Sequence, residues 1–308
     1  MKTSYSNFEE TVVKELEALL LTQEIDASVC CQTVTKVNEE YRAVSVMPKD
    51  SSIGICLNMS ELYENGLDHS EAARQILDSY LKAMPEAPGI DTESIFEYSR
   101  AKTRLFTETI STEQNRELLR TLPHREIKDL SVIVRVLAAD GTGNGNTASS
   151  IVNREMAAAY GVSDDDLISD AARNSERIRP ITIAEITDVL ARSGFDCPRA
   201  AGDALLYVVT VPDGFMGAGT IAYPDFFTEI QKTVGRDYYL IPSSIHEFLA
   251  LPDTGDHSVS VLEDLVRSVN DTEVSPRDFL SNRVYHYDCG RKLFEYASEY
   301  EQRTEEEG

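Results

Sequence analysis

The sequence predicts an α+β protein: antiparallel or mixed sheets built from recurrent ββα units and covered by helices. Three observations carry this. First, a strand, a turn and a second strand run into a short helix closed by glycine at Ala43 to Gly66, again at Leu130 to Gly161, and again at Leu206 to Gly235. Second, there is no extended βαβ alternation, which argues against a doubly wound parallel sheet, whereas hairpins separated by helices favour helix-covered antiparallel sheets. Third, 308 residues with 42% hydrophobic and 27% charged content are enough to bury a core in one or two domains.

In chain order, Phe8, Val12, Leu16, Leu19 and Leu20 share one face of an amphipathic pattern, which predicts a helix over Asn7 to Leu21. Strand-like runs follow at Val29 to Val37, Arg42 to Met47 and Ile53 to Leu57. MSELYENG reads as a short helix ended by Gly66. A longer helix begins near Asp68 or Ser70, with Glu71 in its first turn. Pro85 and Pro88-Gly89 break it and mark a lobe boundary or hinge, giving an N-terminal lobe over 1–88 and a larger lobe over 89–295. Asp91 or Thr92 is expected to cap a helix carrying Ile95, Phe96, Ser99, Thr103 and Phe106. A further helix is expected over Thr112 to Thr121, stopping at Pro123-His124.

Asp129 to Ala138 is a β-branched strand. Gly141-Thr142-Gly143-Asn144-Gly145 has neither Walker nor dinucleotide spacing and lacks lysine, so it reads as a hairpin turn rather than a phosphate cradle. Ser163 is read as a helix cap, with Asp164, Asp165 and Asp166 complementing the positive helix end rather than holding calcium. The last third supplies strands at Tyr238 to Ile241 and Glu247 to Leu251, a helix over Val259 to Val269, and a short helix opened by Ser275-Pro276. Val284 to Tyr287 reads as an edge strand, and residues 296–308 as an acidic, fraying tail.

Charge excludes some partners. With 29 Lys+Arg against 53 Asp+Glu, the formal net charge is −24. Such a surface repels phosphate backbones and anionic membranes, so no nucleic acid and no membrane is expected, while basic protein partners are favoured. No leader peptide or spanning segment is read from the chain. The five cysteines, Cys30, Cys31, Cys56, Cys197 and Cys289, are scattered and contain no CxxC pair. That suits a reducing cytoplasm with thiols used as small core residues.

The densest polar cluster is Ser243, Ser244, His246 and Glu247, set between apolar runs. A zinc protease needs a second histidine four residues after the first, and Ala250 stands there. Neighbouring side chains on a strand face opposite ways, so His246 and Glu247 would each need their own partners. No G-x-S-x-G elbow surrounds the serines. A structural reading is available: Ser244-Ile245-His246-Glu247 matches a capping box around one tight helical turn. His124 is expected to pack or cap, and His69, His257 and His286 to lie in polar or turn contexts. No pair of histidines or cysteines has metal-ligand spacing, so neither a metal nor a cofactor is expected.

The blocks LLYVVTV, GAGTIAYPDFFTEI, DYYLIPSSIHEFLALPD and VNDTEVSPRDFLSNRVYHYD resemble a group of uncharacterised bacterial proteins, domain-of-unknown-function family 5688. ENGLDHSEAARQI, NRELLRTLPHREIKDLSVIVRVL and NREMAAAYGVSDDDLISDAARN share that resemblance, which covers roughly Ala43 to Tyr287. The Pro-Ser-Ser-Ile-His-Glu block is also similar, more weakly, to a second uncharacterised family, YtpQ-like. The departure is at Val211, where the family pattern would place Asn or a similar polar residue. The resemblance implies a cytoplasmic bacterial protein and carries over no catalytic residue.

The leading expectation is a non-enzymatic binding or adaptor protein, because no catalytic, metal or nucleotide motif is complete. The alternative is a hydrolase-type enzyme with His246 as base, Glu247 or Asp253 as supporting carboxylate, and Ser243 or Ser244 nearby. A third expectation, resting on charge alone, is an acidic DNA mimic that blocks a DNA-binding protein.

Overall fold

Phe8, Val12, Leu16 and Leu20 recur every four residues, and all four are buried along one side of helix α1 (Tyr5–Thr22). That stripe packs in the first of two compact units, Met1–Ile90 and Asp91–Gly308, seen in a computed structural model. The residues described are 4–51, 54–84, 95–140, 147–192, 194 and 205–307. Among them, no helix is long and apolar enough to cross a membrane.

The first unit is an antiparallel three-stranded sheet, β1 (Ala27–Lys36), β2 (Glu39–Pro48) and β3 (Ile55–Asn58), in that order. Asn38 adopts φ 58° at the β1–β2 turn, a left-handed conformation that asparagine tolerates. Helix α2 (Met59–Glu64) is capped by Asn58, whose side chain accepts the Glu61 N–H at 3.1 Å. Gly66, at φ 77°, follows it. Helix α3 (His69–Ala83) opens with a full capping box: Asp68 accepts the Glu71 N–H at 2.9 Å, and the Glu71 carboxylate accepts the Asp68 N–H at 3.0 Å. Val29, Cys31, Val44 and Val46 line the inner sheet face against α1 and α3. Arg42 pairs with Glu9 and ties β2 to α1.

The second unit holds two antiparallel sheets. In one, β6 (Leu130–Asp140) is central, with β4 (Leu105–Ser111) on one side and β5 (His124–Ile127) and β7 (Thr147–Ile151) along the other. In the other, the strand order is β13 (Leu293–Tyr296), β12 (Tyr285–Asp288), β10 (Tyr238–Ser244), β11 (Glu247–Pro252), β9 (Tyr207–Thr210) and β8 (Thr182–Glu185). Helices α4 (Tyr98–Ala101), α5 (Arg116–Leu119), α6 (Arg154–Tyr160), α7 (Asp164–Ile178), α8 (Ile186–Arg192), α9 (Phe226–Val234), α10 (Val259–Thr272) and α11 (Ala297–Glu307) complete it. Helices with antiparallel sheets make an α+β fold, as expected. Ser163 caps α7 by accepting the Asp166 N–H, and Gly161 takes φ 68° after α6.

Several expectations are corrected. The pattern carrying Phe106 is not one helix: α4 is a single turn, and Leu105–Ser111 is a strand whose every residue is buried. A strand covered on both faces loses the period-2 alternation that identifies strands, so its apolar positions can mimic a helical stripe. Only Arg116–Leu119 is helical within the run over Thr112 to Thr121. The second strand expected at the third ββα repeat is a 3-10 helix, Gly217–Ala222. Finally, β12 is interior, between β10 and β13, and residues 297–307 form a docked helix instead of a frayed tail. The Pro85–Gly89 hinge and the glycine loop over 141–146 lie outside the described residues.

The 3-10 segment joins the two sheets. A Cβ on Gly217 would collide with the Thr210 hydroxyl and the His246 carbonyl, and one on Gly219 with the Thr107 carbonyl on β4. Thr107 Oγ1 donates to the Gly219 carbonyl at 2.9 Å, and the Ala218 N–H donates to the Ile245 carbonyl at 3.2 Å. At the C-terminus, Tyr300 of α11 stacks on the fully buried His286, with ring centroids 3.5 Å apart, and donates to Asp253 Oδ2 at 3.0 Å. Arg303 bonds Glu295 at 2.6 Å. His286, expected in a polar or turn context, is therefore part of the core: it sits mid-strand in β12 between Asp253 and Tyr300.

Two predictions follow from this packing. Gly219→Ala pushes a methyl group into strand backbone that has nowhere to move, and is expected to destabilise the second unit by about 1–3 kcal/mol in chemical denaturation. Gly235→Ala, with open space around it and only a positive φ of 78° to bear, is expected to cost about 1 kcal/mol. Equal losses for the two would refute the close-approach argument. For Asp253, burial pushes its carboxyl up, but bonds from His286, the Gly255 N–H and Tyr300 outweigh it and hold the group below its ordinary 3.8. Its contribution is therefore present above that value and lost as pH falls through the lower folded value. Asp253→Asn is expected to flatten the acid limb of stability and to reduce amide protection in α11, read by hydrogen exchange. Unchanged α11 protection would refute the lock.

Candidate functional site

The Ser243–Glu247 block folds as the tip of the β10–β11 hairpin. Register places Ser244 opposite Glu247, with a bulge after Pro242. The expected capping box around a helical turn does not form, because strand pairing carries through to the residues that would have flanked it. Ser244 Oγ instead accepts the His246 N–H at 3.1 Å and tightens the turn. Ser243 Oγ donates to Glu247 Oε1 at 3.2 Å.

His246 faces other partners. Its Nδ1 accepts the Met216 N–H at 3.1 Å, and its Nε2 stands 3.4 Å from Asp278 Oδ1. Phe215 lies beside the ring, centroids 5.5 Å apart. Met216 reaches this position through a left-handed φ of 54°, strained for a non-glycine residue. With Nδ1 accepting a backbone N–H, the neutral imidazole carries its proton on Nε2, pointed at Asp278. Asp253 belongs to a different neighbourhood, at the far end of β11 with His286 and Tyr300. The structure thus pairs Ser243 with Glu247 and His246 with Met216 and Asp278, and leaves Asp253 apart.

A buried ion pair lies nearby, and sequence reasoning missed it. Glu108 of β4, 1% exposed, accepts from Arg135 Nη1 of β6 at 2.9 Å, and Arg135 Nε donates to Ser149 Oγ at 3.1 Å. Burial pushes the Glu108 carboxyl up, while Arg135, and behind it His246 and Arg179, pull it back. A usable signal existed: LFTETIS and VIVRVLA each carry one charge of opposite sign inside an otherwise apolar or β-branched run. A lone charge in a core strand demands a partner.

On the other side of the hairpin is an apolar groove of about 200 Å³. Ile241, Leu249 and Leu251 of β10 and β11 form its floor, and Leu262, Leu265 and Val269 of α10 form one wall. Helix α10 buries Val259 and Val266 against the sheet, yet leaves Val261 64%, Leu265 60% and Val269 41% exposed. Ser243 and Asn270 supply its polar rim. Through Ser243, Glu247 stands at the hairpin end of this groove, on the same strand face as Leu249 and Leu251. Sequence reasoning read a helix over Val259 to Val269; apolar positions at i, i+4 and i+8 do not by themselves distinguish an exposed rail from a core stripe.

Cys30 and Cys56 are exposed rather than core residues, while burial raises Cys31 and Cys289 to about 11, which keeps those two thiols protonated at neutral pH.

Residues 5–289 match the family of unknown function DUF5688, and the chain belongs to that family. No curated protein and no solved structure matches it.

The Glu108–Arg135 pair makes a quantitative prediction. Arg135→Met strands a buried carboxylate and is expected to cost about 3–5 kcal/mol at neutral pH. The raised carboxyl opposes folding when ionised, so the loss is smallest below its ordinary 4.5 and grows as pH rises above it. Glu108→Gln in the same chain should recover most of the loss and remove the pH dependence. A pH-independent loss in Arg135→Met would overturn the assignment.

Proposed function

We propose that the protein is a binding or adaptor protein of the bacterial cytoplasm whose contact surface is the groove beside α10. One observation carries the reading: Val261, Leu265 and Val269 form an exposed apolar rail along a helix that borders an apolar groove. Fully burying a leucine or valine side chain is worth roughly 1.5–3 kcal/mol, so a rail left in water is a surface that gains from being covered. The −24 charge supports a role in solution and favours basic partners.

The geometry of His246 supports binding over hydrolysis. A general base needs a free lone pair within reach of the proton it takes. The Nδ1 lone pair is engaged by Met216, and the hydroxyls of Ser243 and Ser244 bond Glu247 and the His246 backbone, not the imidazole.

A neutral environment-sensitive dye such as Nile red is expected to bind one site per chain with a blue shift. Leu265→Asp should weaken it by about tenfold or more, a difference of about 1.4 kcal/mol. Leu21→Asp, at an equally apolar position that is 80% exposed but does not line this groove, should leave the dye unaffected. Equal effects of the two substitutions would remove the groove as the contact surface.

A further inference from the structure

The geometry points to the groove's occupant: a cationic amphipathic helix of a partner protein, an inference that rests on the binding role proposed for this groove.

Shape is the first ground. The floor is a sheet face on which Ile241 pairs with Leu249 and Leu249 with Val208. The wall is helix α10. A helix beside a helix on a sheet face is the ordinary way an α+β layer is completed, and here the second place is an open groove. The rail residues Val261, Leu265 and Val269 are four apart, spaced about 6 Å along α10 at about 1.5 Å per residue. A partner helix with apolar residues at i, i+3 or i+4, and i+7 presents the matching ridge.

Charge is the second ground, and it selects among occupants. No lysine or arginine lines the groove. Glu247 stands at its hairpin end. Glu273, just beyond α10, is exposed, and the helix's sole arginine, Arg267, is paired with Asp264 at 2.8 Å. The chain as a whole carries −24. A second copy would bring the same charge to the same face, and like charges there oppose docking. A helix with lysine or arginine flanking its apolar ridge meets the opposite sign.

The protein contains no tryptophan, so a probe peptide can carry the only indole signal. The probe is a blocked Leu/Lys peptide of about 18 residues, long enough to form a helix, with one Trp on its apolar face. It is compared with the same peptide bearing Glu for Lys, and with a Leu/Lys peptide of identical composition scrambled to destroy the apolar face. The Leu/Lys helix is expected to bind one per chain with a blue-shifted indole, and the Glu peptide about tenfold more weakly, as a few partly exposed ion pairs imply. Leu265→Asp should reduce binding of the Leu/Lys helix at least as strongly, although it adds a negative charge that would strengthen any purely electrostatic attachment. Leu265→Gln provides the same test without a charge change.

Equal binding of the scrambled peptide, or full binding to Leu265→Asp, would mean attachment to surface charge and overturn the inference. Equal binding of the Glu peptide would overturn the cationic partner while leaving the groove as a contact surface. Dye bound without any peptide would assign the groove to a small apolar molecule; neither dye nor peptide bound would remove the binding role itself. A dimer in light scattering that Leu265→Asp converts to monomer would place a second copy in the groove and overturn the inference.

Discussion

The second unit depends on the close approach of one backbone segment to two sheets. Gly217 lies against Thr210 and the His246 carbonyl, and Gly219 against Thr107 of β4. No side chain beyond hydrogen fits at either place, so the segment must run with its main chain in contact and cannot pair as a strand. Its polar groups find partners across the joint instead: Thr107 Oγ1 on the Gly219 carbonyl, the Ala218 N–H on the Ile245 carbonyl, and Thr210 Oγ1 on the His246 carbonyl at 2.7 Å. The hairpin tip is held from outside by this segment. That is why a sequence block resembling an active site is built as a joint.

The same joint sets the chemistry of His246. The left-handed Met216 delivers an N–H to the imidazole, which fixes the tautomer and leaves Nε2 beside Asp278. Glu108 and Arg135 occupy the neighbouring interior. A paired charge in a core strand adds little net stability, since desolvation consumes most of the attraction; it penalises any register in which the two strands lose their alignment.

The hairpin separates two environments. Toward the joint, polar groups are buried and paired. Toward α10, the strand face is apolar and half open, with Ser243 and Glu247 at its end. Helix α10 covers part of the sheet through Val259 and Val266 and turns Leu265 and Val269 outward beside the uncovered part. An apolar helix edge next to an apolar sheet face is the surface on which the proposed binding role rests.

Local signals were legible in the sequence. The α1 stripe, the Asp68–Glu71 capping box, the Ser163 cap, the glycines at 66, 161 and 235, and the paired strands β1, β2, β10 and β11 are each encoded within a few residues, by periodicity or by a turn that only certain side chains permit. From these the α+β class follows, as does the absence of extended βαβ alternation. What the sequence could not decide is which faces are covered twice and which are covered once. Phe106 reads as part of a helix until both faces of Leu105–Ser111 are seen to be buried; Val284 to Tyr287 reads as an edge until β13 pairs beside β12; Val259 to Val269 reads as a helix, and only the structure shows that Val261, Leu265 and Val269 point at solvent. Apolar side chains carry no label for the surface that will cover them, so periodicity determines an element while only the packing of elements distant in sequence determines its environment. For the same reason the Glu108–Arg135 pair and the His246–Asp278 contact, each spanning residues far apart in the chain, exist only in the tertiary structure.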